Sequence, residues 1–560
     1  MSTMRPLSAA LLCVALLVAG AATAAAATVA GHAAATSFKL AITVVGNGRG
    51  RVTVSPAAES YPAGTVVTLT AVASGRNAFL GWQQGIAAED SRQTSVNVLM
   101  TADLAVVARF EVSGLDPVPE RIALSPLAVE VVDFAALPSS LPNAAAPGAA
   151  AAGAGYAPRA RINHFSPLRD GSGRNFVVDQ RGRLYLLGAD GVPGEYLDLP
   201  SITPRFTDWP GLTSGLNAVA VAPDFARSGR FYTVHAETPG PERGYLRTTV
   251  AMPVGAHFVL TEWTASDPAA GRFAGKRREV LRLEGPDPQH GLQDIGFEPG
   301  LEPGAANYGM LFLLVGEGTS VWRGNARSVG RPDSLFGAVL RIDPLGTNGR
   351  GGTYGVPADN PFFGRPAADG FPEVWAYGFR NPHKLSFDPA HQGWLYVSDV
   401  GESNLEEVNL VLPGRHYGWP QREGTWQVDP AGVVSQPQPP PAADASAGLM
   451  PPVAQFDHDE GTAVSGGFVY RGRGIPQLQG QYVFGDIGGG RVFVFDTREV
   501  ALGRQATVRE LRLLRDGKPT TLAQLTGSAR VDLHFGVDQG GELYLLTKSD
   551  GRIRRLAAPR

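Results

Sequence analysis

Cysteine is all but missing: the chain has one in 560 residues, Cys13. A basic start at Arg5, an apolar run from Leu11 to Val18 and the small residues Ala22-Thr23-Ala24 and Ala25-Ala26-Ala27 predict a secretory leader over residues 1–27. The apolar run is too short to anchor a mature chain in a bilayer, so no membrane span is expected after processing. Leu12 precedes Cys13 where a lipidation signal needs a small residue, which points to an exported soluble protein, periplasmic or secreted, and not to a lipoprotein. Cys13 leaves with the leader, which excludes disulfides, zinc-thiolate sites and a cysteine nucleophile. Charge is scarce as well, at 18% of residues, and balanced: 49 Lys and Arg against 52 Asp and Glu, net −3. Binding to nucleic acid or to an anionic membrane through bulk charge is therefore not expected.

Glycine and proline are plentiful, 70 and 44 residues, and suit a turn-dense β protein better than a helical one. At this length two or more domains are expected. Residues 38–112 alternate apolar and polar positions in RVTVSP, YPAGTVVTLTAVA, FLGWQQG, SVNVLM and LAVVARFEV, which predicts a small all-β module of four or five strands. It resembles the β-repeat modules of secreted bacterial proteins, and a surface or glycan contact is one role open to it. Trp82 is either a carbohydrate-stacking platform or a core aromatic, and the core reading is favoured. Residues 113–158, with AAAPGAAAAGAG, read as an Ala/Pro-rich linker, and the tract QPQPPPAADASAG near 436–448 as a surface loop.

From residue 159 to 557 one pattern returns: RGRLYLLGADG, SGRFYTVHAE, YGMLFLLVGEG, QGWLYVSDVG, QGQYVFGDIGG and GGELYLLTKSDG. Each is a Gly turn and an aromatic-rich strand, with Tyr185, Tyr232, Phe312, Tyr396, Tyr482 and Tyr544 in matching places. Spacings of one four-stranded blade predict an all-β fold, a six-bladed β-propeller preceded by the small all-β module, with a sandwich or a β-helix as the alternatives. A propeller gathers loop residues at the mouth of a central channel, where function is expected. In EVWAYGFRNPHKLSFDP the Arg380-Asn381-Pro382 break would end a strand at such a mouth. Nearby, SDVGESNLEEVNLV supplies Asp399, Glu402, Glu406 and Glu407 as oxygen ligands around the Gly401 turn, a chemistry suited to Ca²⁺, although an acidic loop alone is more often solvated.

The segments GRNFVVDQRGRLYLL, REVLRLEGPDPQHGLQDIGFEP, GAVLRIDPLG, YGVPADNPF, EVWAYGFRNPHKLSFDP, LYVSDVGESNLEEVNLV, HYGWPQREG and GTAVSGGFVYRG occur in one order over residues 160–557. In that order the chain resembles the soluble glucose/sorbosone (aldose sugar) dehydrogenases, quinoproteins that use pyrroloquinoline quinone (PQQ) and calcium. The resemblance implies oxidation of an aldose at its anomeric carbon, with hydride passing to the quinone and electrons on to a respiratory acceptor. It implies His290 as general base, Arg380 and Asn381 as contacts of the quinone, and Gly401 and Glu402 as the turn whose backbone carbonyls hold calcium. Arg491 is a less secure match to a cation on a PQQ carboxylate. Such a base contributes roughly 10²- to 10⁴-fold, and a planar guanidinium suits a carboxylate.

Glu317 stands where the family usually has Asp, and serves either to orient His290 or as a surface carboxylate. Tyr417 and Trp419 are candidates for pocket or core. His458 is expected to face the channel, and Asp457, Asp459 and Glu460 to form a solvated turn. Thr213 and Ala222 depart from the Gln and His common in the family, which bears on PQQ affinity and sugar preference. The competing function is a catalytically inactive secreted propeller that binds a glycan or a protein.

Overall fold

A computed structural model describes residues 36–45, 50–73, 77–87, 90–91, 93–112, 118, 121–141, 158–211, 213–242, 244, 254–319, 328–402, 404–428 and 448–559. The leader and the 436–447 part of the second Pro/Ala tract lie outside them. The described residues fall into two compact units, one within Met1–Ala73 and Phe79–Glu111, the other within Ser74–Ala78 and Val112–Arg560.

In the first unit Leu40–Val45 pairs in parallel with Leu104–Val112, which borders Asn77–Gln84, and Gly50–Ser55, Val66–Ala73 and Ser95–Leu99 form an antiparallel sheet. A short pair, Ser37–Phe38 with Tyr61–Pro62, brings the strands above the expected four or five. Alternation works as the pattern predicts: Ser95–Leu99 buries every second residue. Trp82 is 4% exposed and its Nε1 donates to the Gln93 carbonyl at 2.8 Å, so it is a core residue and offers no stacking platform.

The second unit is built from four-stranded antiparallel sheets. Four stand separately: Ile162–Pro167 through Pro193–Asp198, Leu216–Val221 through Gly275–Gly285, Leu292–Phe297 through Val374–Tyr377, and Pro382–Phe387 through Ala454–Asp457. A nine-stranded sheet holds two more such units, one beginning at Val464–Val469 and one at Leu533–Val537. The first strand of each unit touches the first strand of the next, and Leu533–Val537 touches Ile162–Pro167, so the ring closes. This is a β-propeller, with its channel lined by the first strands. The matched aromatics are all buried, five on second strands, whereas Tyr185 sits on a third strand and Phe176 takes the second-strand place in that sheet.

One expectation is corrected. The stretch read as a linker, 113–158, contains the 13-residue strand Leu124–Ala136. It pairs in parallel with Arg509–Arg515 and antiparallel with Arg552–Ala557, so an N-terminal strand completes the last sheet and joins it to the fifth. Its apolar residues Val129 and Val131 are fully buried, whereas the Ala/Pro composition around them masked a strand pattern. The segment before it is anchored too: Val118 N donates to Asp457 Oδ2 (3.4 Å) and Ile122 N to Glu460 Oε1 (2.8 Å). Asp457 and Glu460 are accordingly buried structural acceptors, not parts of a solvated turn.

The second residue of every first strand is polar and buried: Asn163, Asn217, Gln293, His383, Ser465 and His534. In the first four sheets the pairing register shifts across that residue, a bulge that frees it from the ladder. Asn163 Nδ2 donates to the Asn217 carbonyl (2.8 Å), and Asn217 Nδ2 to the Leu292 carbonyl (2.9 Å). These bonds lace neighbouring sheets together around the channel.

Candidate active site

Residues at the N-terminal ends of the first strands meet the C-terminal ends of the second strands at one mouth. Pro382 opens its strand, where its missing N–H costs nothing, and does not close a ladder as expected. Just before it, the Arg380 and Asn381 amides donate to Asp399 Oδ2 (2.9 Å) and Oδ1 (2.7 Å), so one carboxylate fixes the turn. The Arg380 carbonyl accepts from Glu317 N at 2.8 Å, which ties this turn to the preceding sheet.

His290 adopts φ 52°, a left-handed conformation uncommon outside glycine. Its carbonyl accepts from Gly318 N (2.9 Å) and its amide donates to Thr213 Oγ1 (3.3 Å). A Cβ on Gly316 would lie 2.5 Å from the His290 carbonyl oxygen and 2.7 Å from Asn381 Oδ1, so the approach of these two residues needs glycine there. The His290 side chain is 15% exposed and its Nδ1 is 3.8 Å from Glu317 Oε1, a carboxylate 1% exposed. His290 Nδ1 and Asn381 Oδ1 are buried polar atoms with no hydrogen-bond partner among the described residues. Orphaned polar atoms are costly in a folded chain, and water or a bound molecule would satisfy these two.

Arg380 is 11% exposed at its side chain; Nε reaches Glu402 Oε2 at 2.6 Å, Nη2 the same oxygen at 2.5 Å, and Nη1 the Val400 carbonyl at 3.1 Å. Burial opposes its charge, and Glu402, Glu317 and Glu423 more than offset that, so its pKa rises above the ordinary value. Beyond it, burial pushes the Asp399 carboxyl up to about 7, with Glu406 adding to the shift against the two amide bonds. Glu407, opposite Asp399 in the ladder, is raised by burial and by Asp399. The acidic loop is thus packed inside, not solvated. Glu406 accepts from the Gly401 and Val464 amides (3.3 and 2.7 Å) and from His458 Nε2 (2.9 Å), and Glu423 from Asn404 and Leu405.

A family model described as Glucose / Sorbosone dehydrogenase matches residues 163–555. The chain belongs to the glucose/sorbosone dehydrogenase family. A second model, Divergent InlB B-repeat domain, matches residues 40–114, the first compact unit. Among relatives, HIPL1 protein of Arabidopsis thaliana is 27% identical over 442 residues, 68% of this chain and 60% of that protein. Aldose sugar dehydrogenase YliI of Escherichia coli is 26% identical over 355 residues, covering 62% and 78%. Mouse Hedgehog-interacting protein is 23% identical over 412 residues, covering 70% and 50%. The chain thus spans less than two thirds of the length of HIPL1 protein. A crystal structure of glucose dehydrogenase shares the fold, with TM-score 0.51 and 22% identity over 71% of this chain and 97% of that one.

The structure brings His290, Arg380, Asn381, Glu317 and Thr213 together, with Gly401 and Glu402 on the adjoining turn. It does not bring Arg491 to them. Its guanidinium is held by Glu460 and by Glu510 (2.6 Å), and Glu510 lies on the outer strand of the fifth sheet, so two carboxylates already take the charge that was to meet a cofactor. Ala222 follows the far end of Leu216–Val221, where it packs in the core, so its departure from the family pattern does not touch this mouth. Tyr417 stacks on Phe379 at 4.7 Å and Trp419 is buried, both core residues. His458 is committed to Glu406.

Sequence reasoning expected a central channel but missed the polar residues that line it. Below the mouth lie His164, Asp294 and Lys384, with Lys384 Nζ 2.8 Å from His164 Nδ1 and 3.3 Å from Asp294 Oδ2. They reach a cavity of about 560 Å³ at the opposite mouth, walled by Phe165, Phe297, Phe387 and Phe468 at the C-terminal ends of first strands. The polar second residue of INHFSP, LNAVAV, LQDIGF, PHKLSF, VSGGFV and LHFGV was the available signal.

Proposed function

We propose that this chain is an exported, PQQ-dependent aldose dehydrogenase whose active site is the mouth formed by His290, Arg380 and Asn381. The observation that carries the reading is the convergence of a partly exposed imidazole and a buried amide, each with an orphaned polar atom, beside a charged guanidinium. These residues suit an anionic, carbonyl-bearing guest: Arg380 supplies charge, Asn381 an amide, and the glycine at 316 lets Asn381 and the His290 backbone approach each other. PQQ, when bound, supplies the two-electron acceptor. His290 takes the proton of the anomeric hydroxyl, in a position set by the Thr213 hydroxyl, the Gly318 amide and the facing Glu317 carboxylate. Arg380, kept charged by Glu402, stabilises negative charge that develops near Asn381.

For calcium the side chains build no cage. Among the described residues no three His, Asp or Glu are arranged to hold a metal, and the Glu402 carboxylate is committed to Arg380. Calcium would rest on the Gly401 and Glu402 carbonyls, and no step is assigned to it here. Six blades, the number expected from the repeats, agree with the ring of first strands.

Purified protein given PQQ, Ca²⁺ and glucose or another aldose should reduce an artificial dye. His290→Ala should lose roughly 10²- to 10⁴-fold in rate with its fold intact, and replacing Ca²⁺ by EGTA tests the metal. A second reading, a secreted binding propeller, draws on the relatives described as Hedgehog-interacting protein and on Arg380 being paired within the chain. It predicts no dye reduction with any aldose.

A further inference from the structure

One buried cation in the channel has no role so far. Lys548 follows the second strand of the last sheet, Leu543–Thr547, and its amide donates to the Asp532 carbonyl (3.2 Å) just before the first strand Leu533–Val537. It therefore stands at the same mouth as His290 and Arg380, on the sheet across the ring. Its side chain is buried, and Nζ has one hydrogen-bond partner, Gln180 Oε1 at 2.8 Å, and no ion pair among the described residues. Gln180 Nε2 donates to Asn217 Oδ1 (3.2 Å), and Asn217 to the Leu292 carbonyl (2.9 Å), which connects Lys548 to the strand that His290 precedes.

Two imidazoles share this space. His383 and His534 stack with centroids 5.4 Å apart, and His383 Nδ1, His534 Nε2 and Asn163 Oδ1 are buried without hydrogen-bond partners among the described residues. His383 feels the charge of Lys548 and, more weakly, of His290. The Asp294 carboxylate, whose charge also acts on His383, is taken by Lys384 and His164. Burial holds both imidazoles uncharged, and among the described residues nothing of opposite sign is bonded to Lys548. An ammonium removed from water without a counter-ion either gives up its proton or waits for an anion.

We propose that Lys548 is the anion contact of this channel and holds a carboxylate of the cofactor, with His383 and His534 lining the same pocket. The inference rests on the PQQ reading above. In the free protein, burial lowers the Lys548 pKa to about 7, with Asp532 and Asp179 opposing the shift and Arg161 and Arg530 adding to it. A carboxylate placed against the amine raises that pKa, so binding above pH 7 must take up a proton.

The test is a PQQ titration of the full-length protein followed by absorbance, with calorimetry in buffers of different ionisation heat to count protons. The wild type should take up roughly 0.9 proton per PQQ at pH 8 and roughly 0.1 at pH 6, as a group of pKa near 7 requires. Lys548→Met should bind PQQ at least about 30-fold more weakly, the loss expected for an unpaired buried charge, and take up no proton at pH 8. Lys548→Arg should recover affinity without the uptake. Should Lys548→Met fail to fold by circular dichroism, the wild-type proton count at the two pH values decides. Equal affinity in a folded Lys548→Met, or wild-type binding without uptake at pH 8, overturns the inference and leaves the PQQ reading standing. No PQQ binding by the wild type overturns both.

Discussion

Removing Leu124–Ala136 should open the propeller, although this strand lies far from the last sheet in sequence. Chains beginning at residue 113 and at residue 141 differ by this strand and its short flanks. The strand buries Val129 and Val131 fully, in a cluster with Leu511 and Leu556 of the strands on either side. Each buried Val side chain contributes about 1.5–3 kcal/mol, so the two together contribute about 3–6 kcal/mol. Its loss also exposes the ladder edges of Arg509–Arg515 and Arg552–Ala557, and leaves Arg515 and Arg554 without Asp133 (3.0 and 3.2 Å). Against a domain stability of about 5–15 kcal/mol, that is enough to unfold the chain or to leave the last two sheets frayed. Thermal unfolding and limited proteolysis of the two chains read the effect directly. The chain from 113 should melt cooperatively, and the chain from 141 should melt far lower or be cut around residues 509–557. Equal melting midpoints and equal protease resistance would refute the closure role of this strand.

Other outcomes follow from single contacts. Arg471 reaches from the fifth sheet to Asp388 of the fourth with bonds of 2.8 and 2.6 Å, and Arg471→Met should cost about 3 kcal/mol at pH 7 in denaturant unfolding. Burial pushes the Asp388 carboxyl up, but Arg471 and His391 outweigh it and hold its pKa below the ordinary value. A depressed carboxyl stabilises the fold above its unfolded pKa of about 3.9, and that stability is lost as pH falls through the folded value. The Arg471→Met deficit should therefore shrink below about pH 4, and a deficit independent of pH would contradict the pairing. Gly316→Ala should destabilise by about 1–3 kcal/mol and lower dye reduction, because its methyl meets both the His290 carbonyl and Asn381 Oδ1; unchanged activity would show that these two need not approach. Deletion of residues 38–112 should leave dye reduction intact, and its loss in a folded protein would show that the first unit serves the site.

The all-β character and the N-terminal module were legible because each rests on local pattern, Gly turns and alternation, whereas the grouping of His290 with Arg380 and Asn381, far apart along the chain, came from the resemblance to the dehydrogenase family and not from local pattern. The aromatic repeat was legible only to within one strand, since burial selects an aromatic on the third strand at Tyr185 as readily as on the second at Tyr232. Long-range pairing was not legible. Nothing local distinguishes Leu124–Ala136 from its Ala/Pro surroundings, because its partners lie 384 to 427 residues away. The partners of Arg491 were not legible for the related reason that a guanidinium's partner is a matter of space: Glu460 and Glu510 take its charge. Lys548, at the end of LYLLTK, looks like any surface lysine until the ring closes over it.

The most direct test is a single anaerobic turnover. PQQ-loaded protein mixed with an aldose, with no electron acceptor present, should show the cofactor reduced in one stoichiometric step by absorbance, with one equivalent of sugar oxidised. His290→Ala should bind the cofactor and leave it oxidised over the same time. Reduction at the same rate without the imidazole, or no reduction by any aldose in the loaded wild type, would contradict a sugar-oxidising mouth at His290, Arg380 and Asn381.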